Sequence, residues 1–258
     1  MTAATPALGA DWPVAAILAR TPISTTCRVT GPDGTPAVLR VDGPGARALG
    51  LDRAREPPLI ARAAAAGLGP PLLGADPAAG RLLTGWVPGQ ALEAAQLAAP
   101  EALARAARLL RQLHGTGAAG PPIPLEAAIT RYGDLAGPGA PERVRTARSR
   151  LAAALALGDG IPVFCHGDPT PGNFIAGPGG RLTLIDWEYG GLADPYFDLA
   201  GLVGLATGPG DHLLTAYLGR VPRPAERERL AAWTAFAVEL TALWTAAVAS
   251  LVAGESGP

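Results

Sequence analysis

The sequence predicts an α+β fold of two lobes, a small strand-rich one over residues 1–87 and a larger, mostly helical one over 88–258. Three observations carry this. The N-terminal third breaks into short apolar runs separated by turn residues, the pattern of strands. Pro88-Gly89 then interrupts the chain and marks a hinge. Beyond it, apolar residues recur at helical spacing, except in one strand-rich block around residues 161–187.

In chain order, residues 27–30 and 37–41 flank Gly31-Pro32-Asp33-Gly34 and read as a hairpin. Residues 57–66 read as a short helix, with Pro57 suited to its first turn. Residues 82–87 are an apolar strand. Residues 101–114 carry Leu103, Leu110 and Leu113 at helical spacing, with Pro100 before and Gly115 after as start and stop. A second helix is expected over 141–157. Strands follow at 161–165, 173–176 and 182–187, then helices at 198–206 and 225–253, the last with room for a break. Residues 230–253 hold one charge, Glu239, and so raise the question of a membrane span. They are mostly alanine and threonine, which favours a helix buried in the protein and no span.

Composition removes several function classes. Lys+Arg is 21 and Asp+Glu is 22, so no basic field draws the chain to nucleic acid or an anionic membrane. Every one of the 21 basic residues is arginine. Without lysine, a phosphate loop ending in GK[ST] and a lysine Schiff base are both excluded. None of Ser24, Ser149, Ser250 and Ser256 lies in G-x-S-x-G. Cys27 and Cys165, with His114, His166 and His212, show no zinc spacing. Residues 1–10 lack the basic-then-apolar order of a secretion signal, and with two scattered cysteines the expected location is cytoplasmic.

The chemistry concentrates in His166-Gly167-Asp168-Pro169-Thr170-Pro171-Gly172-Asn173 and Leu184-Ile185-Asp186-Trp187-Glu188-Tyr189. Gly177-Pro178-Gly179-Gly180 between them is a strong turn. Folding about its centre puts Asn173 opposite Leu184, so that Asp186 shares its side-chain parity. Diagonal neighbours lie about 7–8 Å apart, near enough to share a cation. An amide oxygen with a carboxylate suits Mg²⁺. Asp168 then stands beside the metal and not on it, where an acid can take the proton of an attacking hydroxyl. Any one of these residues alone is better read as a turn or strand-end residue. As an ordered set they read as a phosphoryl-transfer site.

Asp168-x-x-x-x-Asn173 followed by Ile185-Asp186-Trp187-Glu188-Tyr189 resembles the catalytic block of the aminoglycoside phosphotransferase and choline kinase superfamily, whose fold is protein-kinase-like and bilobal. With Asp194-Pro195-Tyr196-Phe197-Asp198-Leu199-Ala200 it is most similar to bacterial choline kinases and to thiamine kinase. Val38-Leu39-Arg40-Val41, Asp52-Arg53, Glu56, residues 82–89 and 110–114 follow in the family's order. The resemblance implies ATP and Mg²⁺ as cofactors. Asp168 would be the catalytic base, Asn173 and Asp186 the metal ligands, and Glu188 an addition to the metal shell. Asp198 and His166 would support the catalytic loop. Arg40 would hold nucleotide phosphates where many kinases use lysine, with Glu56 as its partner. Against that pair, Glu56 precedes Pro57-Pro58, and the residue before proline is disfavoured in a helix. The segment 21–26 lacks the glycines usual over ATP phosphates, so the hydroxyls of Ser24, Thr25 and Thr26 are the substitutes. The adenine would lie near residues 84–87, which include Thr84 and Trp86.

The acceptor is expected to be a small alcohol, choline or a related amino alcohol. A cation is held by aromatic faces and acids. Trp244 shares a helix face with Trp233; either is a wall for a quaternary ammonium or part of a packed stripe. Tyr189, Tyr196, Asp194 and Tyr132 are further pocket candidates. Thiamine kinase, an aminoglycoside kinase and a catalytically dead binding module are the alternatives.

Overall fold

The structure is a computed structural model that describes residues 12–158, 160–205 and 210–255. Strands β1 (Val14–Arg20), β2 (Ser24–Thr30), β3 (Pro36–Asp42), β4 (Leu72–Asp76) and β5 (Arg81–Gly85) form one antiparallel sheet in the order β1-β2-β3-β5-β4. The register sets Cys27 opposite Leu39 and Leu39 opposite Leu83. With Val29 and Ala37 these bury on one face. Alternation sends Arg40 to the other face, between Thr26 and Leu82. Two helices, α1 (Pro44–Ala48) and α2 (Glu56–Ala65), are inserted between β3 and β4, and α2 buries Leu59, Ile60 and Ala63.

The second lobe begins with β6 (Gln90–Ala91) and continues through α3 (Ala94–Leu97), α4 (Pro100–His114), α5 (Leu125–Ala136) and α6 (Ala140–Ala156). Short strands β7 (Val163–Cys165), β8 (Phe174–Ala176), β9 (Leu182–Leu184) and β10 (Gly191–Ala193) precede α7 (Pro195–Val203), α8 (Asp211–Leu218) and α9 (Pro224–Glu255). The order β6-β8-β9 makes one small sheet, and β7 pairs with β10. Under them, α4 buries Leu103, Ala106, Ala107, Leu110 and Leu113, one stripe at helical spacing. This stripe and α7 form the floor on which the strand-to-strand loops stand.

Several expectations need correction. The hairpin of residues 27–41 is present but its strands run longer, from Ser24 to Asp42. The strand expected over 182–187 stops at Leu184, and Asn173 belongs to a 3₁₀ turn that precedes β8. Helix α9 is unbroken, because no glycine or proline interrupts it between Pro224 and Ala253. The expectation of a helix buried in the protein is not met: only 17% of its apolar window is buried, and by length and composition alone it is long and apolar enough to cross a membrane. Leu230, Trp233, Phe236, Leu243 and Ala247 pack inward against α5, α6 and α7, while alanine, threonine and valine fill the outward face. The helix expected over 198–206 starts earlier, at Pro195; Ala206 and the signal reading on residues 1–10 lie outside the described residues. Strand β1 gave no alternation in sequence because it is an edge strand with all seven residues exposed.

Candidate active site

Strand β7 delivers the chain to His166, and the loop that follows is fixed by its backbone. Asp198, fully buried on α7, accepts hydrogen bonds from His166 N and Gly167 N, both at 2.8 Å. His114 Nε2 donates to the same carboxylate at 2.9 Å. Burial alone would raise the Asp198 carboxyl; the hydrogen bonds from His114 and from the Gly167 amide hold it below the usual range. Gly167 has φ +84°, and a Cβ there would lie 2.2 Å from Tyr189 O, so only glycine fits. His166 Nε2–H donates to Ile185 O at 2.9 Å, which leaves Nδ1 to accept from Asp168 N at 3.3 Å. This histidine thereby ties the loop to the end of β9.

Asn173 Nδ2 donates to Asp168 O at 2.9 Å and to Asp168 Oδ2 at 3.1 Å. Its Oδ1 is the atom left for a cation. Asp168 is half-buried; removal from solvent pushes its carboxyl up, while the hydrogen bond from Asn173 pulls it down, with a net rise. The hairpin register is one residue off the expected one: Phe174 lies opposite Leu184, and Ile185 N donates to Asn173 O at 3.0 Å. The turn centres on Gly179, with Gly177 N donating to Arg181 O. Simple alternation would therefore send Asn173 and Asp186 to opposite faces. Asp186 has φ +64°, alone among the described non-glycine residues, and this turn of the backbone re-aims it. Asn173 and Asp186 line the same cavity. A neutral amide oxygen and a carboxylate there form a hard-oxygen donor set that fits Mg²⁺.

That cavity, about 460 Å³, lies between the sheet and the β8–β9 hairpin. Ser24, Thr26, Arg40, Glu56, Thr84, Trp86 and Asp186 are among its walls. Thr25 is not: Ser24 and Thr26 share one face of β2, and alternation turns Thr25 to the other. The β1–β2 turn is closed by Thr21 Oγ1, which accepts from Ile23 N and Ser24 N. At the far end, Gly85 N donates to Pro71 O and Trp86 N to Pro36 O, so both amides are already used.

The pairing of Arg40 with Glu56 forms, against the pre-proline argument. Arg40 Nη1 donates to Glu56 Oε1 at 2.8 Å, and Nη2 to Oε2. Glu56 opens α2, where prolines in the first turn remove amides that have no helical acceptor anyway. A buried, two-pronged ion pair outweighs the local backbone preference. Arg40 also reaches Asp186 Oδ1 at 3.3 Å and Glu188 Oε2 at 3.4 Å. Burial works to lower its pKa, but Glu56 and the other carboxylates raise it overall. The sequence assigns Arg53 no role. It binds Asp42 Oδ2 through Nε at 2.8 Å and Glu188 Oε2 through Nη1 at 2.7 Å. The signal was its place three residues before Glu56, one helical step away, with a 3.4 Å contact. Glu188, expected to join the metal shell, is thus committed to two guanidinium groups.

A second cavity, about 190 Å³, opens on the other side of the 186–188 segment. Asp52, Arg55, Arg131, Tyr132, Gly167, Glu188 and Tyr189 are among its walls. Tyr189 OH accepts from Trp244 Nε1 at 3.0 Å, and Tyr132 lines the same cavity. Burial, then the charge of Glu188, pushes the Tyr132 hydroxyl up to about 12 and raises that of Tyr189 further.

The profile of the phosphotransferase enzyme family matches residues 21–236. The chain belongs to that family. Among solved structures, it is 30% identical to a choline/ethanolamine kinase family protein from Mesorhizobium loti, over 95% of this chain and 81% of that one, with a TM-score of 0.74. The structure of LicA in complex with AMP superposes with a TM-score of 0.75 at 22% identity, over 94% of this chain and 86% of that one. Protein LicA of Haemophilus influenzae is 43% identical over 56 residues, 20% of this chain and 21% of that relative. The match thus spans about a fifth of the length of the curated relatives.

In this member of the family, the remaining expected pocket residues are dispersed. Trp244 stands behind Tyr189 and does not line the second cavity. Trp233 is fully buried against Phe197 and Phe236, a packed residue. Asp194 caps α7 by accepting from Tyr196 N at 2.9 Å and pairs with Arg229 at 2.6 Å. Tyr196 is buried with the Arg229 guanidinium over its ring. Both serve the start of α7 and lie outside these two cavities, while Asp194 and Trp233 line a third, largely apolar one of about 560 Å³. Glu239 pairs with Arg143 on the surface.

Proposed function

We propose that this chain transfers the γ-phosphoryl group of ATP, with Mg²⁺, to the hydroxyl of a small alcohol, choline or a related amino alcohol. The observation that carries the reading is the placement of Asp168: hydrogen-bonded to Asn173 and adjoining Gly167, which lines the smaller cavity, in a loop braced by Asp198. The larger cavity receives the nucleotide. Bound Mg²⁺ would neutralise phosphate charge, with Asn173 Oδ1 and the Asp186 carboxylate to hold it. Arg40 faces the same space and supports a phosphate oxygen. Asp168 orients the acceptor hydroxyl and takes its proton. Val87 N–H is the amide of the 85–87 segment left to meet an adenine, since its two predecessors are engaged.

A cavity of about 190 Å³ favours a compact acceptor over an aminoglycoside. Both cysteines are buried and unpaired, which fits work in a reducing cytoplasm. The test is ADP release from Mg-ATP with choline, ethanolamine, thiamine and an aminoglycoside, with Asp168→Asn as the blank. Release that depends on one small alcohol and on Asp168 supports the reading. Release that survives Asp168→Asn overturns the assignment of the base.

A further inference from the structure

The third cavity, about 560 Å³, exceeds the other two and takes no part in the reading above. It lies at the far end of the β7–β10 ribbon from His166: Ile161 and Pro162 lead into β7, and Leu192 and Ala193 belong to β10. Its walls are apolar. Helix α5 gives Leu125, α6 gives Leu151 and Leu155, and α9 gives Trp233. Leu155 and Ile161 remain 56% and 67% exposed. Large apolar side chains left open around an apolar hollow mark a binding site. The polar groups of the wall decide what fits. Asp194 is engaged, accepting from Tyr196 N at 2.9 Å and pairing with Arg229 at 2.6 Å. Glu126 is exposed and pairs with Arg148 at 3.4 Å. No arginine is among the described wall residues, so nothing there balances an anion brought beside these two acids. Trp233 differs from both. Its indole Nε1 is buried and has no hydrogen-bond partner. An indole N–H can only donate, and buried donors nearly always find an acceptor. Phenylalanine would meet Phe197 and Phe236 equally well without leaving a donor unpaired.

We propose that this cavity is a second ligand site, for an uncharged apolar molecule bearing an acceptor oxygen, a ketone or an ester, and that Trp233 Nε1–H donates to that oxygen. The body of the ligand lies against Leu151, Leu155 and Leu192, and burial of its apolar surface supplies the affinity. The hydrogen bond supplies the choice among apolar molecules of one shape. The site uses neither Asp168 nor Asp186, so it stands whether or not the kinase reading does.

The test uses the full-length protein and three probes of nearly one shape. Benzylacetone carries a ketone, butylbenzene has a methylene in its place, and phenylbutyrate carries a carboxylate. Calorimetry measures their affinities. NMR follows the indole N–H resonances of the five tryptophans, with Trp233→Phe to assign its own. The expected result is that benzylacetone binds, moves the Trp233 resonance, and binds up to about tenfold more tightly than butylbenzene. Trp233→Phe should erase that preference while butylbenzene still binds. Leu155→Arg, a change at an exposed position, should weaken both. Should Trp233→Phe not fold, the ratio of the two affinities in the wild type and the loss of binding in Leu155→Arg and Ile161→Arg decide. Equal affinity for ketone and hydrocarbon, a preference that persists in Trp233→Phe, a Trp233 resonance that does not move, or no binding of benzylacetone overturns the proposal. Tighter binding of phenylbutyrate than of benzylacetone overturns the assignment of an uncharged ligand.

Discussion

Arg40 has one guanidinium group to divide among Glu56, Asp186 and Glu188, and its own exposure is 9%. Removing Glu56 takes away its buried two-pronged partner and leaves only the longer contacts to Asp186 and Glu188. Glu56→Ala should cost about 3–5 kcal/mol of stability in a denaturant titration, well beyond an exposed ion pair. Arg40→Lys keeps the charge but loses the two-pronged contact, so it should weaken ATP binding. Asp168 makes a different kind of prediction. Asp168→Asn should reduce kcat by a factor of about 10² to 10⁴ while ATP still binds. A base must be deprotonated, and burial raises this one, so kcat should fall with decreasing pH at a value above that of an ordinary aspartate. A rate profile flat down to pH about 4 would contradict that assignment.

At the scale of elements, the sequence was informative where one local rule acted alone and misleading where two met. The helical spacing of Leu103, Leu110 and Leu113 identified α4 with its proline start. The hairpin after Asn173 was visible, but its centre was not, because Pro178, Gly179 and Gly180 admit two registers one residue apart. The +64° φ of Asp186 has no sequence signature at all. The prolines after Glu56 gave a correct local bias that a distant ion pair overrode, and nothing near Glu56 in the chain announces Arg40. The N-terminal brace of α7 yields a stability prediction. Asp198 is held below its unfolded value, so its contribution is present above that value and is lost as pH falls through the folded one. Asp198→Asn should therefore destabilise the protein at neutral pH and flatten the acid limb of its unfolding curve. On α9, Trp233→Ala should cost about 3–5 kcal/mol, with little change in KM for either substrate, because the ring packs against Phe197 and Phe236 and lines neither the nucleotide nor the acceptor cavity.

Two of the cavities lie back to back across residues 186–188, one under the sheet and one between the α1–α2 segment of the first lobe and the helical lobe. The two-lobed plan was legible because strand-like and helix-like periodicities occupy different halves of the chain. The acceptor cavity was not, because its walls come from three stretches far apart, around residues 52, 131 and 189. Ligand binding should report on the assembled site: Mg-ATP should raise the melting temperature, and Asp186→Ala should abolish the part of that shift that depends on Mg²⁺. An equal shift in that variant would remove Asp186 from the metal site. The linking strand β6 pairs Gln90 with Ala176 and Ala91 with Ile175, and Leu92 N reaches Phe174 O at 2.9 Å. The chain that joins the lobes is thus stitched to the strand that starts one residue after Asn173. A door hung this way turns on the post that carries its latch. On the proposed function, swinging the sheet lobe outward to release a nucleotide would tilt β8, and the same movement would slacken the grip of Asn173 on a bound cation.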